Sequence, residues 1–263
     1  MLFENKLKTK IRAGKKTAGA WAQIASPFTA EILSSAGFDW LMLDMEHGPG
    51  DILTLVSQVQ AMKGTDCVPL VRTPWNDFIA IKRILDAGAQ GVLVPYVNTK
   101  EQAVDAVKAC KYPLEGIRGV AGSPRAPGYG QNQGDYLQRA NDQIFIMTAV
   151  ETPDAVANLD QILEVDGLDG VFIGPMDLAS SMGHFGDPSQ PEVQTAIRTI
   201  EEKTLASGKV LATTTGTWPN AKELYSRGYQ MLMLMADGIS LAKMAAGLVA
   251  EFKNAYPEGQ EYD

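Results

Sequence analysis

Residues 144–183 read IFIMTAVETPDAVANLDQILEVDGLDGVFIGPMDLASSMG, and the two apolar runs in this stretch decide the fold. The first, IFIMTAVE, closes on Glu151; the second, GVFIGPMD, closes on Asp177. Short runs rich in Val, Ile and Phe and bounded by Gly or Pro read as strands buried on both faces, as in parallel sheets covered by helices. Between them Ala155, Val156, Leu159, Ile162 and Leu163 recur at the spacing of one helix face. Thr152 supplies the N-cap, Pro153 the first helical residue and Gly167 the stop. This strand–helix–strand unit predicts Glu151 and Asp177 at the C-terminal ends of neighbouring parallel strands, where α/β sheets and barrels place their ligands. Taken singly, each acid also reads as a favourable first-turn residue of the helix that follows. Side by side they repel, and a divalent cation is the usual relief, so the pair points to metal.

The same alternation extends outward over the chain. A lead-in helix is expected over 2–13, then a strand at TAGAWAQI (17–24) and a helix begun by Ser26 and Pro27 and stopped by Gly37. The strand WLMLD ends at Asp44 and feeds a loop, Met45 to Gly50, before the helix DILTLVSQVQAMK. VPLVR ends at Arg72, with Asn76 expected to cap the helix DFIAIKRILDAG; GVLVP ends at Pro95, with a capping box from Thr99 to Gln102 opening the next helix. Tyr112 to Gln143, rich in Gly, Pro and Arg, reads as one long irregular segment. Beyond Asp177 come a short helical turn, the loop MGHFGDPSQP, the helix PEVQTAIRTIEEKTLASG, the strand VLATT, the helix PNAKELYSRG, the strand MLMLM and a last helix over 239–256, with a frayed PEGQEYD tail. Eight strands alternating with helices in 263 residues predict a single-domain (β/α)8 barrel spanning 1–263. The runner-up, a doubly wound open sheet, usually announces itself with G-x-G-x-x-G after its first strand, where this chain reads IASPF.

The 23 Lys and Arg against 31 Asp and Glu give a net charge of −8 without a basic cluster, which argues against nucleic acid as a partner. The opening residues lack the apolar core of a secretory signal, and no apolar run approaches the ~18 residues of a membrane span, so a cytoplasmic protein with no membrane partner is expected. Cys67 and Cys110, in no C-x-x-C motif, read as buried structural thiols.

In a barrel the strand ends share one rim, which gathers Asp44, His47, Arg72, Glu151 and Asp177 at one mouth. His47, in the polar, Gly-rich LDMEHGPGD, is placed to serve as a base or acid near neutral pH. His184 reads as structural. Arg72 pairs with Asp44 or Glu46, or serves as a fixed cation for a carboxylate or enolate oxygen. A divalent ion on Glu151 and Asp177 would chelate a small 2-oxo acid through a carboxyl oxygen and the keto oxygen. No Lys ends a strand in the central region, which disfavours a Schiff-base mechanism.

These stretches resemble the HpcH/HpaI aldolase and citrate lyase family. The resemblance is carried by GFDWLMLDMEHGPGD, VPLVRTPWND, IKRILDAGAQGVLVPYVNTKEQA, YPLEGIRGV and the opening 144–183 region, and covers most of the chain from about Gly14 to the last helix. It implies a class II pyruvate aldolase using Mg²⁺, Mn²⁺ or Co²⁺, with Glu151 and Asp177 as metal ligands. It also implies Arg72 as the enolate-stabilising group and His47 as the base for the C4 hydroxyl. The backbone N–H groups of Met176 and Asp177 would hold the pyruvate carboxylate. Asp86 matches an acid that raises the basicity of that histidine; closing a helix at the far end of the barrel, it would reach His47 only from a neighbouring subunit. A hexamer with the last helix packed on a partner is implied as well. Ala149 stands where the family usually carries Gln, which removes a hydrogen bond to the keto oxygen or a metal water. Arg125 matches a basic loop position assigned to the aldehyde half.

The expected function is reversible cleavage of 4-hydroxy-2-oxo acids to pyruvate, or a close 2-oxo acid, and an aldehyde. A lyase for a CoA thioester of the citramalyl or malyl type is the enzymatic alternative. A non-catalytic barrel that captures oxo acids or phosphate is the other, since TTTGT and ADG sit where barrels bind phosphate but carry no basic residue.

Overall fold

Eight strands pair in sequence order and the last returns to the first, closing a parallel barrel in the computed structural model, which describes residues 3–257. The strands are β1 (Thr17–Ala22), β2 (Trp40–Asp44), β3 (Val68–Arg72), β4 (Gly91–Val94), β5 (Phe145–Val150), β6 (Gly170–Ile173), β7 (Val210–Thr214) and β8 (Met231–Ala236). Around them run α1 (Lys6–Arg12), α2 (Pro27–Ser35), α3 (Ile52–Ala61), α4 (Phe78–Asp86), α5 (Lys100–Cys110), α6 (Gln133–Gln143), α7 (Pro153–Ala157), α8 (Leu159–Leu163), α9 (Pro175–Ser181), α10 (Pro191–Ser207), α11 (Trp218–Ser226) and α12 (Asp237–Ala255). Among the described residues no helix is long and apolar enough to cross a membrane.

Strand parity sorts the side chains. Trp40 and Met42 on β2, Leu70 on β3, and Phe145, Met147 and Ala149 on β5 form one cluster inside the barrel. Their alternates Leu41, Leu43, Val71, Ile146 and Val150 pack outward under the helices. One more step along the inner parity carries β2 to Asp44, β3 to Arg72 and β5 to Glu151, and the register sets Asp44 directly beside Arg72. Sequence alternation thus delivers these charges to the inner rim.

The far end is plugged. Leu7 of α1 joins the interior cluster, Asn5 donates to the carbonyls of Gln90 and Gln143 at 2.8 and 2.9 Å, and Lys8 reaches the Ile144 carbonyl and Asp169. Within the barrel, Trp40 fills the space left at Gly19, where an added methyl would stand 2.4 Å from the indole.

Several expectations need correction. Asp77, not Asn76, caps α4: its carboxylate accepts from the Ala80 N–H at 2.7 Å, whereas Asn76 donates to the Gln102 carbonyl. The Thr99 hydroxyl accepts from the Gln102 N–H, but the Gln102 side chain accepts from Asn98, one residue before the cap. The single helix expected between β5 and β6 is two, α7 and α8, with Asn158 between them donating its side chain to the Asn98 carbonyl. The segment from 112 to 143 contains α6, and Arg118 pins its start: the buried guanidinium lies 4.5 Å from the Tyr112 ring and bonds Tyr136 and Asp86. β6 ends at Ile173, so Asp177 belongs to the first turn of α9 rather than to a strand end. Pro175 cannot donate to a ladder, but its fixed φ suits a helix start. The last helix begins at Asp237; position 2 of the lead-in helix and 258–263 of the expected frayed tail lie outside the described residues.

Candidate active site

The mouth is organised by a fork. Arg72 donates through Nε to Asp44 Oδ1 at 2.9 Å and through Nη2 to Oδ2 at 2.5 Å, while Nη1 lies 3.0 Å from Glu46 Oε2. Below it the Trp21 ring, inward on β1, lies 4.3 Å from the guanidinium carbon. Gln23 and the backbone N–H groups of Glu46 and His47 add further hydrogen bonds to Asp44. Burial pushes the Asp44 carboxyl up, but the Arg72 bonds and charge outweigh it and hold the group below its ordinary value. Burial raises Glu46, which also feels the negative charges of Asp44 and Asp177. Arg72 is thus ion-paired, and the pairing fixes its plane at the rim. Two of its five N–H donors are hydrogen-bonded to Asp44, and Nη1 faces Glu46 as an ion pair.

Glu151 closes the inner parity of β5 and is 5% exposed. Its Oε1 accepts from the Tyr96 N–H at 2.8 Å, and its Oε2 lies against Gly174. Burial first, then the charges of Asp177 and Glu46, push this carboxyl up to about 7. Asp177 comes over the same rim from the first turn of α9. Asp44 and Glu46 are spent on Arg72, so among the described residues Glu151 and Asp177 have no ion pair of their own, and the Arg72 charge only partly offsets their like charge at Glu151. Among the described residues no three His, Cys, Asp or Glu side chains are placed to hold an ion, so this rim offers two protein carboxylates, Glu151 and Asp177, and no third ligand of these types.

His47 is exposed in the loop after β2, with its backbone N–H on Asp44. Ala149 faces inward one step below Glu151 and presents only a methyl. His184 bonds Glu192 at 2.6 Å, outside this group.

Asp86 and Arg125 are not at this mouth. Asp86 ends α4 and pairs with Arg118 at 2.7 Å; Arg125 donates to the carbonyls of Ala87 and Val59, at the plugged end. Neither meets His47 of its own chain.

Trp21 and Gln23 were missed as site residues, and so were Trp75 and Tyr96, which stack on the rim; Glu46 was expected only as a partner of Arg72. Parity was the available signal for Trp21 and Gln23, which alternate towards the end of the first strand; Glu46 sits in a loop, where parity says nothing.

The sequence profile described as HpcH/HpaI aldolase/citrate lyase matches residues 17–243. The chain is 41% identical over 250 residues to a 4-hydroxy-2-oxo-heptane-1,7-dioate aldolase of Escherichia coli, covering 95% of each. It is 46% identical over 208 residues to a 5-keto-4-deoxy-D-glucarate aldolase of Escherichia fergusonii, covering 79% of this chain and 81% of that one. The crystal structure of an HpcH/HpaI aldolase/citrate lyase family protein from Burkholderia cenocepacia superposes with a TM-score of 0.91 at 34% identity, covering 95% of this chain and 99% of that chain.

Proposed function

Because the chain belongs to the HpcH/HpaI aldolase/citrate lyase family, we propose that it cleaves 4-hydroxy-2-oxo acids reversibly to pyruvate, or a close 2-oxo acid, and an aldehyde. It is a carbon–carbon lyase of the aldolase type. The observation that carries the substrate reading is the pair Glu151 and Asp177 beside the immobilised Arg72.

Two carboxylates without an ion pair of their own fit a hard divalent ion such as Mg²⁺, Mn²⁺ or Co²⁺, held by Glu151 and Asp177. When bound, the ion supplies Lewis-acid polarisation of the substrate's keto group. His47 takes the proton from the C4 hydroxyl. The C4–O bond becomes the aldehyde carbonyl, the C3–C4 bond breaks, and its electron pair passes into the C2–C3 enolate with charge on the former keto oxygen. The N–H groups of Arg72 that Asp44 does not engage stabilise that charge, and because Asp44 and Glu46 hold the guanidinium in advance, little reorganisation is needed. A proton then adds at C3 to give the methyl group. The first-turn N–H groups of Met176 and Asp177, which have no acceptor within α9, hold the carboxylate. The Ala149 side chain donates nothing to the keto oxygen, which would leave Arg72 as its side-chain donor.

Asp86 acts, on this reading, at the mouth of a neighbouring copy in a hexamer, whereas Arg125 stays bonded to the Ala87 and Val59 carbonyls. The exposed apolar residues Leu241, Met244, Leu248 and Phe252 of α12 support packing against a second copy.

The test is pyruvate release, coupled to lactate dehydrogenase and NADH, from 4-hydroxy-2-oxo acids with Mn²⁺ and then with EDTA. Release that EDTA abolishes and metal restores is expected. Undiminished activity in excess EDTA would sink the metal-centred reading, and no release from any substrate would favour the CoA-thioester lyase or a binding barrel.

A further inference from the structure

Two rings at the mouth have no part in the roles above. Trp75 lies in the loop after β3 and Tyr96 in the loop after β4. Their centroids are 5.7 Å apart, with planes 28° from parallel, and they are 56% and 37% exposed. Each is held by its backbone. The Thr73 hydroxyl donates to the Trp75 carbonyl at 2.9 Å. Tyr96 has φ of +52°, a left-handed conformation unfavourable for a bulky side chain, and its N–H bonds Glu151. One residue therefore supplies a donor to the buried carboxylate and a ring beside it.

A second observation concerns charge. The segments that leave the strand ends at the mouth (23–26, 45–51, 73–77, 95–99, 151–152, 174–190 and 215–217) contain no Lys or Arg. Arg72, on the strand itself, already faces Asp44 and Glu46. A carboxylate on the aldehyde half would meet no cation from these loops and would lie near several acids. Stacked, solvent-facing rings instead offer dispersion and apolar burial to a flat or hydrocarbon group.

We infer that Trp75 and Tyr96 form the shelf that receives the aldehyde half of the substrate, and that the shelf selects a neutral, apolar or aromatic substituent over a carboxylate-bearing one. This rests on the aldolase reading above and names the acceptor class of that same site.

The test compares kcat/KM for pyruvate release with Mn²⁺ from three substrates that differ only beyond C4: 4-hydroxy-2-oxopentanoate, 4-hydroxy-2-oxo-4-phenylbutanoate and 4-hydroxy-2-oxoheptane-1,7-dioate. The native enzyme is expected to prefer the phenyl compound to the dioate. Its phenyl-to-methyl ratio should fall about tenfold in Trp75→Ala and in Tyr96→Asn. Asn is chosen because it tolerates the left-handed backbone once the ring is gone. The ratio cancels any general loss from a disturbed Glu151. An unchanged ratio in both variants, or a native preference for the dioate, overturns the shelf. Proton exchange into the methyl group of pyruvate in D₂O separates the two readings. Exchange without release from any of the three substrates overturns the shelf alone, whereas absence of both overturns the aldolase reading as well.

Discussion

Glu151 and Gly174 lie so close that a methyl group added at Gly174 would stand 2.6 Å from Glu151 Oε2. Gly174 has φ of −93°, so its backbone accepts any residue and the constraint is one of space. In Gly174→Ala the carboxylate is expected to give way rather than the strand, because a side-chain end moves more easily than a barrel. Mn²⁺ affinity measured by calorimetry should fall by tenfold or more, roughly the loss seen when the groups that orient a metal ligand are removed, with a thermal midpoint close to that of the native protein. Unaltered affinity would mean that Oε2 takes no part in holding the ion.

Arg72→Lys keeps the positive charge and loses the fork. An ammonium group cannot engage both oxygens of Asp44 and Glu46 while presenting a planar donor edge to the substrate. The expected loss is about 100-fold in kcat, the scale of one preorganised charge-stabilising donor, with a smaller change in KM. A kcat within a factor of about two of native would remove Arg72 from the reaction.

If Asp86 serves a neighbouring copy, two inactive variants should repair each other. His47→Ala and Asp86→Asn chains, co-expressed and purified as mixed assemblies, are expected to recover about a quarter of native activity, since random pairing at a two-chain site leaves that share intact. Recovery no greater than the sum of the separate variants would confine the site to one chain. A monomeric mass in solution would do the same.

Stability at alkaline pH should carry the mark of Tyr229. Its buried hydroxyl donates to Glu201 at 2.6 Å, and burial with that bond raises its pKa. A tyrosine raised in the folded state favours folding fully below its unfolded value near 10. The contribution is lost as pH climbs from there towards the folded value, because the unfolded chain ionises first. Denaturant melts at pH 9 and pH 11 should therefore diverge by up to ~1.4 kcal/mol per pH unit from this group. Tyr229→Phe should flatten that dependence, and an equally steep fall in the variant would assign it to other tyrosines.

The barrel was legible because its eight strands are short apolar runs with turn residues at both ends, and a parallel sheet buried on two faces requires that pattern. Asp44, Arg72 and Glu151 were legible for the same reason, each being the polar residue that ends such a run. Asp177 was located to the right rim but on the wrong element: Gly174 and Pro175 interrupt GVFIGPMD, yet the apolar run masks the change from strand to helix. α6 was missed because QGDYLQRANDQ is mostly polar, and its apolar face is little more than Tyr136, Leu137 and Ala140. Arg125 was read towards the mouth although the chain around it folds under the barrel, a long-range placement that no local spacing encodes. Tyr96 went unnoticed because its importance lies in a backbone torsion and in the carboxylate that its N–H meets, neither of which has a sequence signature.

Side chains fill the barrel interior and α1 covers its far end, so the strand-end site is reached only from the mouth. On the proposed reading the 2-oxo acid lies deep, against Arg72 and the two carboxylates, and the aldehyde lies above it on the rim. Occupancy then has a direction: in cleavage the aldehyde departs before pyruvate, and in synthesis pyruvate enters first. Steady-state product inhibition would display this order, with pyruvate competitive against the cleaved substrate and the aldehyde noncompetitive, so the packing inside the barrel would set the kinetic sequence at its mouth.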